Sequence, residues 1–132
     1  MKTMKEHGWT SVLALAVALT VWSGCGRGGT SGKIETVTPA QAGSQLDQAF
    51  QAADASVKQN ATFAADAMKK GEYEKAVTSL QAVQQSQSLT LDQGLAIHRS
   101  VISMERELIN GIERGDPRAK QAYELLKRMR RN

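Results

Sequence analysis

Three helix-start signals constrain this 132-residue chain more than any other feature. Thr38-Pro39-Ala40-Gln41 and Thr90-Leu91-Asp92-Gln93 each place a threonine three positions before a glutamine. In that arrangement the hydroxyl accepts from an early helical N–H and the glutamine reaches back to the cap. Gly115-Asp116-Pro117 closes one helix and opens another, with Asp116 as N-cap and Pro117 in the first turn. Between these points apolar residues recur every three or four positions, and no stretch alternates as a half-buried strand would. The reading is all-α.

The spacing predicts four helices. Leu46, Ala49, Phe50, Ala53, Val57, Ala61, Ala64 and Met68 form one Ala-rich face of a long first helix, which Lys69-Lys70-Gly71 ends with cations and a C-cap glycine. Gly43-Ser44 is expected to fray or kink its opening turns. A second helix runs over 72–87 with Tyr73, Ala76, Val77, Leu80 and Val83 inward. The third, after Thr90, carries Leu95, Ile97, Val101, Ile102, Met104, Leu108, Ile109 and Ile112. That stripe is wide enough for more than one neighbour, which makes this the expected central helix. The fourth turns Ala119, Ala122, Tyr123, Leu126 and Met129 inward and Arg118, Lys120, Lys127, Arg128, Arg130 and Arg131 outward. Short connections imply antiparallel neighbours, as a four-helix bundle or two stacked helical hairpins.

Ahead of this region the chain changes character. Lys2 and Lys5 precede an uncharged apolar run over 11–22, too short for a comfortable membrane span and of signal-peptide length. Small and polar residues follow over 24–32. The segment Trp22-Ser23-Gly24-Cys25 resembles the lipobox of bacterial lipoproteins, with tryptophan where that family usually has leucine. The resemblance implies cleavage before Cys25, acylation of its thiol, export, and anchoring to the bacterial cell membrane or outer membrane. Each buried methylene of such an anchor contributes about 0.8 kcal/mol, so two or three chains hold durably. Cys25 is the sole cysteine and has no intramolecular disulfide partner. The expected organisation is a signal peptide over 1–24, a flexible tether over 25–37 and a helical domain over 38–132. Thirteen tether residues hold the domain roughly 20 Å from its anchor at random-coil dimensions.

Charge is uneven along the chain. The whole sequence carries 17 basic and 13 acidic side chains. Six of the basic residues and one of the acidic ones fall in 118–132. Lys120, Lys127, Arg128, Arg130 and Arg131 are therefore candidate contacts to an anionic lipid or cell-wall polymer. Near a helix C-terminus the same cations also complement the backbone dipole, an effect of about 0.3–1 kcal/mol. A stripe of Lys120, Lys127 and Arg131 is expected opposite Tyr123 and Leu126.

Phe63-Ala64, Gly71-Glu72-Tyr73-Glu74-Lys75-Ala76 and Leu80 resemble one tetratricopeptide-like hairpin over 60–88. In that family, stacked repeats form a concave surface for peptide or protein segments. Asn60, Ala67 and Ser88 stand where the family usually has an aromatic residue, tyrosine and proline. A plain helical hairpin with a Gly-Glu-Tyr turn accounts for the same residues.

Catalytic signals are sparse. His98 is the one histidine outside the leader, and Glu105 follows seven positions later, a set too thin for a metal site or an acid–base pair. The Glu and Glu-x-x-His sets of a di-iron bundle are missing from the sequence. The glycines over 24–32 lack the Gly-Lys-Ser/Thr of a phosphate loop. The expectation is a membrane-anchored, non-enzymatic lipoprotein, with no cofactor, metal, nucleic acid or small-molecule substrate. Its partners would be the bilayer, through Cys25, and a protein bound by exposed apolar surface. The alternative is an envelope-binding module that uses the basic last helix.

Overall fold

The computed structural model describes residues 36–86 and 88–131, so the leader, Cys25 and most of the tether lie outside the described residues. Those described form five helices: α1 (Pro39–Ala49), α2 (Ala55–Lys70), α3 (Tyr73–Gln84), α4 (Leu91–Glu113) and α5 (Pro117–Met129). No strand occurs among them. α1 packs against α2 and α4, α2 against α3, α3 against α5, and α5 against α4, which closes an all-helical bundle.

The expected long first helix is two helices. At Phe50 the backbone leaves helical geometry (φ −103°, ψ 8°), and residues 50–53 form tight turns. The N–H groups of Phe50, Gln51 and Ala53 donate to carbonyls three residues back. The chain then reverses so that α2 lies along α1. Thr62 Oγ1 donates to Asp47 Oδ1 at 2.7 Å, pinning the two helices together. The reversal buries Phe50 completely and brings Ala61, Ala64 and Ala65 into the core with Ala42 and Leu46. A single straight helix would leave most of that Ala-rich surface in water.

Gly43 belongs to this contact and does not break α1. A Cβ at position 43 would lie 2.9 Å from the Ala65 carbonyl oxygen and 3.3 Å from its Cα. Only a residue without a side chain lets the two backbones meet so closely.

The other ends follow local chemistry. Thr38 and Thr90 both form complete capping boxes, with Gln41 and Gln93 respectively. Gly71 adopts φ +73° after α2, where the Glu72 N–H donates to the Ala67 carbonyl at 2.9 Å. Gly115 adopts φ +81° after α4, and the Asp116 N–H donates to the Gly111 carbonyl at 3.0 Å. Both are left-handed helix ends that glycine adopts without steric cost. Asp116 Oδ1 accepts from the Arg118 N–H at 2.9 Å and caps α5.

The core centres on Leu46, Phe50, Met68, Leu80, Met104, Leu108 and Leu126, all fully buried. α4 packs against α1 and α5 and touches α3, but every helix of the bundle has two main neighbours, so these contacts do not set α4 apart as the expected central helix. Its inner arc, however, is built from Ala96, Ile97, Ser100, Val101, Ser103, Met104, Leu108 and Gly111. Leu95, Ile102, Ile109 and Ile112, expected inward, are exposed. Small side chains set the inner arc because they admit close neighbours: a Cβ on Gly111 would lie 2.7 Å from that of Ala119 on α5. The buried serines are satisfied within α4, Ser100 Oγ donating to the Ala96 carbonyl and Ser103 Oγ to that of Ser100, each at 2.9 Å.

Candidate interaction surface

The exposed arc of α4 is the most distinctive surface of the domain. Leu91 is 79% exposed and Ile102 48%, with Leu95, Ile109 and Ile112 also open to solvent. Together with His98 and Glu105 these residues fall at alternating intervals of four and three, which keeps them in one seam along a helix. The seam runs about 30 Å at 1.5 Å per residue. Its five exposed aliphatic side chains, interrupted by His98 and Glu105, present on the order of 400 Å² in total, the size of the largest patch on an ordinary monomer, which is often functional.

Both borders of the seam are charged. On the α5 side, Arg130 Nη1 donates to both oxygens of Glu105, at 2.8 and 2.9 Å. This contact links the outer faces of the two helices, and the pair is exposed enough to contribute no more than about 1 kcal/mol. On the α1 side, Asp92, Arg99, Arg106 and Glu113 follow one another at seven-residue intervals. Arg106 is half-buried, and its Nη2 donates to the Val37 carbonyl at 2.9 Å. The chain therefore enters the fold beside the middle of α4. Gln93 Nε2 donates to the Ala49 carbonyl at the other end of α1, so α1 runs antiparallel to α4.

The basic residues of α5 do not form one free patch. Lys127 Nζ lies 3.4 Å from Glu124 Oε1 and 5.6 Å from the centre of the Tyr123 ring. Lys127 is thus beside Tyr123, not opposite it as the sequence spacing implied. Arg128 Nε donates to the Glu124 carbonyl at 3.4 Å, an exposed contact to the helix's own backbone. Arg130 is taken by Glu105. Lys120 and Arg131 are exposed.

A concave feature lies where the α2–α3 and α4–α5 turns meet. It is an open cleft of about 550 Å³ bordered by Lys70, Tyr73, Glu107, Gly111, Arg114 and Arg118. Arg114 Nη2 donates to Glu107 Oε1 at 3.2 Å. Burial raises the Tyr73 phenol above its ordinary value of 10.0, the Glu107 charge adds to the rise, and Arg114 opposes it. The folded state therefore favours neutral Tyr73. Its contribution to stability is complete below pH 10.0 and is lost as pH rises from there through the folded-state value. Denaturant midpoints across the alkaline range should fall less steeply for Tyr73→Phe than for the native chain. Equal slopes would show that Tyr73 ionises alike in both states.

His98 is exposed on α4, in a shallow depression with Ile97, Val101, Met129 and Arg130. Among the described residues no three His, Cys, Asp or Glu side chains are grouped to hold a metal ion. Phe63, placed in the tetratricopeptide-like pattern, is 56% exposed, while Ala64 and Leu80 of that pattern are buried. Periodicity alone does not reveal the outward seam of α4, because it places Leu95, Ile102, Ile109 and Ile112 in the same stripe as the core residues and leaves Leu91 as part of the cap. The alternation of four and three through Leu91, Leu95, Ile102, Ile109 and Ile112 was the signal available. No family model matches the chain, and no match was found among curated proteins or solved structures.

Proposed function

We propose that this chain is a membrane-anchored envelope lipoprotein whose helical domain serves as a protein-interaction or scaffold module, with the outer seam of α4 as its contact surface. The observation that carries the reading is the exposure of five large aliphatic side chains in register along a single helix whose opposite arc is core. Burial of such surface against a partner is favourable by about 25 cal/mol per Å² before the costs of association are met. The leader and the lipobox-like Trp22-Ser23-Gly24-Cys25 support the anchor. Among the described residues no helix is long and apolar enough to cross a membrane.

The basic end of α5 favours this reading over polyanion binding. Lys127 and Arg130 each have an acidic partner within the domain, which reduces the field available to an anionic polymer.

Anchoring is tested by Cys25→Ser. The variant should leave the membrane fraction almost entirely, and mass spectrometry of the native mature terminus should find an acylated Cys25. An unacylated terminus at any other residue would overturn the lipoprotein reading. The contact surface is tested by Ile102→Glu combined with Ile109→Glu. This variant should keep its helical circular dichroism and lose every protein cross-linked through a photoreactive group at position 95. Unchanged cross-linking would remove the seam from consideration.

A further inference from the structure

We infer that α1 exchanges between two copies of this chain: the turn over 50–54 opens into helix, and each α1 takes the seat on α2 and α4 of the other copy. The exchange uses none of the α4 seam and stands or falls apart from it.

The α2–α3 and α4–α5 reversals are fixed by Gly71 and Gly115 at positive φ. The α1–α2 reversal holds no such device. Residues 50–54 are Phe, Gln, Ala, Ala and Asp, with neither glycine nor proline, and glutamine and alanine are good helix formers. The N–H groups of Phe50 and Gln51 reach their carbonyls only at 3.3 Å. Asp54, at the N-cap of α2, makes no side-chain cap bond. Local chemistry therefore favours continuing the helix, and tertiary contacts bend it.

Those contacts join α1 and its lead-in to elements that a second copy also has. Gly43 approaches Ala65, and Asp47 Oδ1 accepts from Thr62 Oγ1. The Ala49 carbonyl accepts from Gln93 and the Val37 carbonyl from Arg106. Each contact re-forms when α1 comes from another copy, as does the burial of Leu46 and Phe50. Exchange of one element between identical chains is a low-cost route to a dimer for this reason.

The opened form is a single helix over 39–70, on which Gly43, Leu46, Phe50, Val57, Ala61 and Ala65 share one face. The Gly43–Ala65 and Asp47–Thr62 contacts fix its register against the same helix of the second copy. The two run antiparallel, with the two-fold axis beside residue 54. The two Asp54 carboxylates then approach each other, and their repulsion keeps the exchanged form scarce.

Disulfide formation in intact cells, on the full chain, tests the exchange. Differently tagged copies carrying Asp47→Cys and Thr62→Cys are co-expressed and oxidised, and each copy expressed alone sets the baseline from Cys25. A link between the two tags above that baseline is expected. Asp54→Ala in both copies removes the repulsion and favours helix at two hinges, so it should raise the yield about tenfold. Ala55→Pro should abolish the link while the purified chain keeps its helical circular dichroism. Position 55 opens α2, where proline fits, and Asp54 already has the φ of −55° and ψ of 147° that suit a residue before proline. Inside a continuous helix the same proline clashes with the preceding turn. No link above baseline, even with Asp54→Ala, overturns the exchange, and so does a link that survives Ala55→Pro. If the proline variant loses its helical signal, Asp54→Ala decides alone: an unchanged yield overturns the exchange and a rise upholds it.

Discussion

Leu80→Ala should destabilise the folded domain by about 2–5 kcal/mol, whereas Ile102→Ala should change it by no more than about 1 kcal/mol. Both residues are large aliphatic side chains inside helices of strong apolar periodicity, and on sequence alone both belong in the core. Leu80 is fully buried between α3 and its neighbours, so truncation leaves a cavity that helices packed this closely fill only in part. Ile102 is half-exposed, truncation there opens no cavity, and alanine recovers a few tenths of a kcal/mol in helix propensity. Denaturant titrations of the two variants, followed by circular dichroism, measure the contrast. Equal losses would mean that the outer arc of α4 is buried in the isolated protein.

Gly43→Val should be comparably damaging, costing about 3 kcal/mol, the upper end for overpacking. The first atom of any side chain at this position meets the Ala65 carbonyl oxygen at 2.9 Å, a backbone atom that no rotamer change can move. α1 must then shift away from α2, loosening Leu46 and Phe50 together. Ser44→Val, one position along on the exposed side of α1, has no such contact and should fall within about 0.5 kcal/mol of the native chain. The same thermal or chemical unfolding measurement reads both. A tolerated Gly43→Val would place α1 farther from α2 than described.

What could be read from sequence was whatever the chain decides within four or five residues. Thr38, Thr90 and Asp116 start helices where expected, and Gly71 and Gly115 end them, because caps depend on local hydrogen bonds and on backbone angles that few residues tolerate. The break between α1 and α2 carries no glycine or proline. Its apolar spacing, from Leu46 and Phe50 to Val57 and Ala61, stays in phase with one continuous helix. The reversal there depends on the packing of Ala-rich faces and on the Asp47–Thr62 hydrogen bond, fifteen residues apart. α4 poses a different difficulty. Apolar residues occupy much of its circumference, so periodicity identifies the helix but not its inward arc. Ala96, Ser100, Ser103 and Gly111 select that arc by allowing close approach, leaving the bulkier Leu95, Ile102 and Ile109 outside.

The Arg106–Val37 hydrogen bond also determines how the domain responds to mechanical load. A pull along the chain from its N-terminal side arrives at Val37 and acts on that bond, on the Val37 side chain at the edge of the core and on the Thr38 cap before it reaches any fully buried side chain. α1 has only eleven residues, and loading it at its first turn separates it progressively from α4 instead of shearing its whole contact at once. Under tension the domain should therefore yield by peeling from α1, with α2 and α3 still joined through their hairpin and α5 still seated between α3 and α4.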